Sequence, residues 1–293
     1  MIPEELTQAQ FDTVYNLLSL VIAAQLFGAI FLLAAQPRVL ARYRQALVMS
    51  AIVCGIAAYH YFRIFDSFKH AFVTEAQGGR GTYVQAAGQS FNEGYRYVDW
   101  LLTVPLLLAE LIVVLALAHK LRNALLWRLI PASALMIALG YPGEISADNL
   151  TRNVFGLLST IPFLYILYVL FVELTKSLDR QPAAVRSTVS KMRILLFATW
   201  GVYPIAYVVP LLGIDGAAAW VWKQGGYSIA DILAKVLYGL LIYKIARLKS
   251  FADDPSFAAT ESEHGSEIDQ PVTNGSRSSS VVLEPQDRPA TTS

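Results

Sequence analysis

Asp231 and Lys235 stand four residues apart in an apolar stretch near the end of the chain. At that spacing two side chains share one face of a helix. Two chemistries suit the pair. It could be a structural ion pair that holds a bundle together. Alternatively the lysine is a buried, reactive amine of the kind that condenses with an aldehyde to a Schiff base. Once protonated, such an adduct remains a buried cation and needs anions beside it, and Asp231 is one turn away. A second set is Asp99, Thr103 and Glu110. Eleven helical steps return to within about 20° of the start, so all three share one face, with the carboxyls about 16 Å apart along the axis. A lysine adduct at intermediate depth would have one carboxyl on each side. That is the geometry of a proton relay, in which one group accepts and another supplies. His60 and Arg63 bring further ionisable groups to a different apolar stretch. Trp100, Trp200 and Tyr203, with Pro204 following, could clamp a long conjugated chain, although each ring alone fits ordinary packing.

The elements that must carry these residues are membrane helices. The 293 residues are 55% hydrophobic and only 15% charged, too few charges for the surface of a water-soluble domain. Apolar stretches of about 20 residues, enough to cross the hydrocarbon core, recur between short polar breaks. The spans read as 13–35, 43–65, 95–118, 123–142, 152–175, 190–212 and 226–247. The fold class is therefore an all-α membrane protein, a bundle of seven transmembrane helices over residues 1–250. Residues 1–12 lack a basic segment followed by an apolar core, so the first span is expected to act as both signal and anchor. The connection 66–94 contains Gly78-Gly79-Arg80-Gly81 between Phe72-Val73 and Thr82-Tyr83-Val84. It suits a short two-stranded hairpin or a plain glycine-rich loop. Cys54 is the single cysteine, so no disulfide within the chain and no cysteine metal site is expected.

Charge sets the direction. Thirteen Lys and Arg fall on one side of the seven spans, from Arg38, Arg42 and Arg44 to Lys244, Arg247 and Lys249. Only Lys69, Arg80, Arg152 and Lys223 fall on the other. The N-terminus should face outward and the C-terminus the cytoplasm. Residues 251–293 carry eight Asp/Glu against two Arg and are rich in Ser, Thr, Pro and Gly. Such a segment cannot bury enough apolar surface to offset its ordering entropy and is expected to be a disordered acidic tail. No basic cluster with interleaved aromatics suggests nucleic-acid binding.

Four segments carry a resemblance. Arg96-Tyr97-Val98-Asp99-Trp100-Leu101-Leu102-Thr103-Val104-Pro105 resembles the third-helix signature of the microbial (type 1) rhodopsins, in particular the proteorhodopsin and xanthorhodopsin branch. Trp200-Gly201-Val202-Tyr203-Pro204 and Asp231-Ile232-Leu233-Ala234-Lys235 resemble its sixth and seventh helices. Ser159-Thr160 followed by Leu164-Tyr165-Ile166-Leu167-Tyr168 resembles its fifth. The likeness spans residues from about 10 to 250, and the tail lies outside it. It implies all-trans retinal on Lys235 as a protonated Schiff base and a light-driven outward proton pump rather than an enzyme. Asp99 would be the proton acceptor, Asp231 the second counterion, Glu110 the donor from the cytoplasmic side and Arg96 the outer gate. His60 takes the position that pairs with the acceptor in this branch. Such a pair would titrate as a unit.

The set Asp99, Thr103 and Glu110 resembles the proton pumps of the family. Its chloride pumps lack the first carboxylate, and its sodium pumps place Asn, Asp and Gln. A light sensor or slow-cycling receptor of the same fold is the alternative. Outside the family, a retinal-free helical receptor or transporter remains. Leu107 sits at the colour-setting position, where Leu goes with green absorption. Gly156 stands where many relatives carry Trp; in xanthorhodopsin-like proteins a glycine there opens a slot in which a carotenoid antenna lies. The resemblance also implies a plasma-membrane protein in the lipid bilayer, assembled as a pentamer or trimer. The chain departs from archaeal pumps in showing no obvious pair of outer glutamates before the last helix, where Asp215 and Lys223 are the only charges.

Overall fold

Thr7 starts the first helix. Its hydroxyl accepts from the Gln10 N–H at 3.3 Å, and the Gln10 side chain accepts the Thr7 N–H at 2.9 Å. Two of the donors that a helix start leaves unpaired are thereby satisfied. A computed structural model of the chain describes residues 2–74, 81–146, 148–208, 212–214 and 216–261. Seven helical columns follow one another along them. The first six are Gln8–Ala34, Ala41–Ala71, Gly94–Val114, His119–Ile145, Asn149–Leu178 and Ala183–Val208. The seventh, residues 216–253, runs through Gly216–Asp231, a wider π turn at Ile232–Leu237, and Tyr238–Asp253. The first five are each long and apolar enough to cross a membrane.

The helices overrun most of the spans read from hydropathy. The second continues past residue 65 to Ala71, because backbone hydrogen bonding does not stop where the apolar stretch does. Asp148 caps the fifth helix, accepting from the Thr151 N–H at 2.8 Å and its hydroxyl at 2.7 Å. The fifth helix also widens into a π turn at Val169–Glu173. There Arg193 of the sixth helix donates to the Leu170 carbonyl at 2.9 Å and to the Thr175 hydroxyl at 2.6 Å. A side chain inserted into the ladder is an ordinary cause of such a turn.

The second to fifth helices each pack on their predecessor, and the seventh closes the bundle against the first, second and sixth. The arrangement is inside-out relative to a soluble protein. Leu20, Phe27, Leu157 and Ile161 are exposed on the outer surface, while Gln25, Asp99, Glu110, Asp231 and Lys235 are buried.

The connection 66–94 does contain the hairpin. Phe72–Thr74 (β2) pairs antiparallel with Tyr83–Gln85 (β3), Val73 opposite Val84. A third strand, Glu5–Leu6 (β1), adds to the free edge of β3, giving the order β1-β3-β2. Gly78, Gly79 and Arg80 lie outside the described residues. At the other end the helical chain passes the expected domain boundary at 250. The seventh helix runs to Asp253, and residues 255–261 form a further short helix held where Glu261 meets Arg247 at 2.7 Å and Arg38 at 3.7 Å. The rest of the tail expected to be disordered, 262–293, lies outside the described residues.

Candidate functional site

The π turn of the seventh helix carries Lys235 into the centre of the bundle, where only 2% of the residue is exposed. Its Nζ lies 2.5 Å from Asp99 Oδ2 and 3.1 Å from Asp231 Oδ2. Both carboxylates are fully buried. A buried cation is stable only with such partners, and two anions on one amine make a strong hydrogen-bonded centre.

The two carboxylates are held differently. Asp231 Oδ2 also accepts from the Tyr61 hydroxyl at 2.7 Å. Its Oδ1 accepts from the Tyr203 hydroxyl and, at 3.4 Å, from the Trp100 indole N–H. Asp99 Oδ1 has no hydrogen-bond partner among the described residues. Thr103 donates to the Asp99 backbone carbonyl at 2.9 Å, one turn along the third helix, rather than to the carboxylate. His60 brings Nδ1 to 3.9 Å from Asp99 Oδ1 but lies 3.0 Å from the Ile56 carbonyl of its own helix, the nearer polar contact. The acceptor partner expected from the sequence is thus adjacent to Asp99 but not hydrogen-bonded to it.

Arg96 is buried on the third helix, and none of its guanidinium nitrogens has a hydrogen-bond partner among the described residues. Its charge faces rings instead, 5.2 Å from the centroid of Tyr227 and 5.9 Å from those of Tyr61 and Phe91. Tyr61 therefore stands between Arg96 and Asp231. Glu110 is fully enclosed; among the described residues neither carboxyl oxygen has a partner at hydrogen-bond geometry, and the Ser50 side chain is its polar neighbour. An isolated charge there would be costly.

Beside Lys235 lies a cavity of about 270 Å³. Trp100, Leu107, Trp200, Tyr203 and Pro204 line it, together with Asp231 and Lys235. It continues to Gly156 and Tyr207 between the fifth and sixth helices. A largely apolar cavity with one amine in its wall suits a slender hydrophobic molecule bearing a carbonyl. At Gly156 the space is narrower than a glycine alone implies. A Cβ there would meet Tyr207 Cε1 at 2.9 Å, and the Tyr207 hydroxyl donates to the Arg152 carbonyl at 2.6 Å.

Tyr61, Glu93 and Glu144 are site residues that sequence reasoning missed. Lys223 Nζ lies 2.9 Å from Glu93 Oε2 and 3.0 Å from Glu144 Oε1, and Gln224 donates to Glu93 Oε1 at 3.0 Å. These residues come from the start of the third helix, the end of the fourth and the start of the seventh. Two glutamates from other helices thus gather around the lysine at the start of the last helix. Burial works against the Glu93 carboxylate. The charges of Lys223 and Arg96 and the hydrogen bonds from Lys223 and Gln224 outweigh it and hold this carboxyl below the usual Glu range.

The profile of a family described as bacteriorhodopsin-like protein matches residues 12–248. The green-light absorbing proteorhodopsin of Gamma-proteobacterium EBAC31A08 is 31% identical over 228 residues, which is 78% of this chain and 84% of that protein. The crystal structure of xanthorhodopsin, described as a light-driven ion pump with dual chromophore, is similar with a TM-score of 0.80 at 44% identity, over 86% of this chain and 99% of that one. A thermophilic rhodopsin is similar with the same score at 45% identity and the same coverage.

Proposed function

This chain belongs to the bacteriorhodopsin-like family, the microbial (type 1) rhodopsins, and from that premise we propose that it is a light-driven outward proton pump with all-trans retinal bound through Lys235. The observation that carries the reading is the buried Lys235 nitrogen, 2.5 Å from Asp99 and 3.1 Å from Asp231 at the side of an aromatic-lined cavity. The cavity fits the cofactor in chemistry: apolar walls, flat indole rings and one amine to bond a carbonyl. Retinal, when bound as a protonated imine, supplies light absorption and a photoisomerisation that does the work.

The protein's own residues supply direction. A free ammonium has three N–H donors, whereas the bonded nitrogen keeps one, so Nζ can hydrogen-bond only one of its two carboxylates at a time. Protonating Asp231 would forfeit bonds from Tyr61 and Tyr203. Protonating Asp99 forfeits only the bond that the transfer itself consumes. Asp99 is therefore the acceptor and Asp231 the fixed counterion. Glu110, eleven residues further along the third helix, holds the proton that reloads Nζ from the other side. Arg96, backed by Tyr61 and Tyr227, holds positive charge on the exit side. The excess of basic residues in alternate connections supports an outward N-terminus in the plasma membrane. The family resemblance supports a homo-oligomer, a pentamer or trimer.

A second reading adds a carotenoid antenna. The extension of the cavity to Gly156 supports it, as does the similarity to a protein described as having two chromophores.

Illumination of unbuffered cells that express the protein with added retinal tests the main reading. The medium should acidify, and a protonophore should abolish the change. A visible pigment with no light-driven pH change and a cycle lasting seconds would favour the photosensory alternative.

A further inference from the structure

Gln25 is a neutral amide fully buried within the first helix. Its Nε2 donates across the bundle to the backbone carbonyl of Asp231 at 3.1 Å. That carbonyl belongs to the residue immediately before the π turn Ile232–Leu237, in which the Tyr238 N–H reaches back five residues to the Leu233 carbonyl. One turn along the first helix, Gly28 lets the two backbones approach so closely that a Cβ there would lie 3.1 Å from Val236 Cγ1. The first helix thus grips the π turn at two points, one polar and one steric. The Asp231 side chain is held separately by Tyr61, Tyr203 and Trp100.

We propose that Gln25 is a positioning residue for proton transfer, fixing the Asp231 backbone and hence the aim of Lys235 Nζ at Asp99. The inference rests on the reading of Lys235 as the retinal-bearing amine and deepens it. A regular α turn over 231–237 would rotate Lys235 relative to Asp231 and lengthen one of the two contacts at Nζ. An amide from a neighbouring helix that binds the carbonyl at the mouth of the wider turn favours that turn. In an apolar interior its loss has no solvent substitute.

The test uses the full chain regenerated with all-trans retinal. Wild-type protein without a visible band would defeat the retinal reading itself, before Gln25 is at issue. With pigment formed, Gln25→Met keeps the volume and removes the donor. It is expected to absorb at longer wavelength, because a loosened counterion holds the positive charge less tightly at Nζ. Proton transfer from Nζ to Asp99 should slow about tenfold, the rate equivalent of one hydrogen bond. Gln25→Glu, studied where it is protonated, retains one O–H donor and should restore both the absorption and the rate. Lower thermal stability with unchanged absorption and transfer rate in Gln25→Met would show a purely structural role and overturn the proposal. So would the same displaced absorption in both variants. If Gln25→Met yields no folded pigment, Gln25→Glu decides alone: wild-type absorption upholds the proposal, and a displaced band overturns it.

Discussion

Asp231 receives three hydrogen bonds beyond its contact with Lys235, from Tyr61, Tyr203 and Trp100, whereas the Oδ1 of Asp99, on the same amine, receives none among the described residues. The asymmetry separates two carboxylates that share one cation. An anion bound by several fixed donors stays an anion when the cation moves. One bound by the cation alone is free to take its proton.

Tyr203→Phe tests that division. It removes one donor from Asp231 and keeps the ring against Trp100, 4.7 Å away between centroids. The variant is expected to form pigment, to lose about 1 kcal/mol of stability, and to accumulate less protonated Asp99 during the cycle, because Asp231 now competes for the proton. Infrared difference spectra of the carboxyl stretch, assigned with Asp99→Asn, would read the distribution. An unchanged Asp99 signal would mean that the hydrogen bonds to Asp231 do not set the acceptor.

Among the described residues no group forms a hydrogen bond to either oxygen of Glu110, so its proton is held chiefly by the cost of releasing a charge in that enclosed place. Glu110→Gln should keep the pigment and its absorption while slowing reprotonation of Lys235 Nζ by about a hundredfold or more, the usual contribution of a positioned proton donor. Azide, a small diffusible acid, should restore the rate. Flash photolysis with and without azide decides the matter, and a wild-type decay in Glu110→Gln would remove Glu110 from the donor role.

Asp99, Glu110, Asp231 and Lys235 were legible in the sequence because a charge within an apolar span stands out against its neighbours. Tyr61 did not, being one of 15 tyrosines with nothing in its spacing to single it out. Lys223 lay just before the apolar span read as 226–247, and Glu93 and Glu144 fell in polar connections. Only the assembled bundle brings these three termini together. The rotamer of His60 was equally hidden, since a helical histidine can reach the carbonyl four residues back or a neighbouring helix. The π turns at Val169–Glu173 and Ile232–Leu237 leave no periodic trace, for each adds a single residue to a turn. The hairpin was visible in its glycines, but Glu5–Leu6 is too short to announce itself as a strand.

The cluster of Lys223, Glu93 and Glu144 gives stability a pH dependence with a definite sign. The folded state holds the Glu93 carboxyl below its usual value. A carboxyl depressed in this way contributes stability that is present above the unfolded value, about 4.3 for Glu, and is lost as the pH falls through the folded value. Lys223→Met removes the cation that Glu93 and Glu144 share and should cost about 3 kcal/mol near neutrality. The gap between variant and wild type should then narrow on acidification below about pH 4. Thermal melts of both proteins across an acid series check this. A gap that stays constant would mean that Lys223 stabilises by packing rather than by charge.

Gly156 and Gly143 flank Tyr207, and a Cβ at Gly143 would fall 2.1 Å from the Tyr207 hydroxyl oxygen. The ring is therefore seated by two glycines, one on the fourth helix and one on the fifth. If a carotenoid shares this space, it does so against the Tyr207 ring, where close ring contact favours energy transfer. Gly156→Trp should displace Tyr207 and fill the space between the fifth and sixth helices without touching Lys235, Asp99 or Asp231. The retinal band and light-driven proton export under direct retinal excitation should persist. Carotenoid bands in the action spectrum, present when wild-type protein is supplied with the pigment, should vanish. Equal carotenoid contributions in the two proteins would place any antenna elsewhere on the bundle and leave Gly156 with a packing role alone.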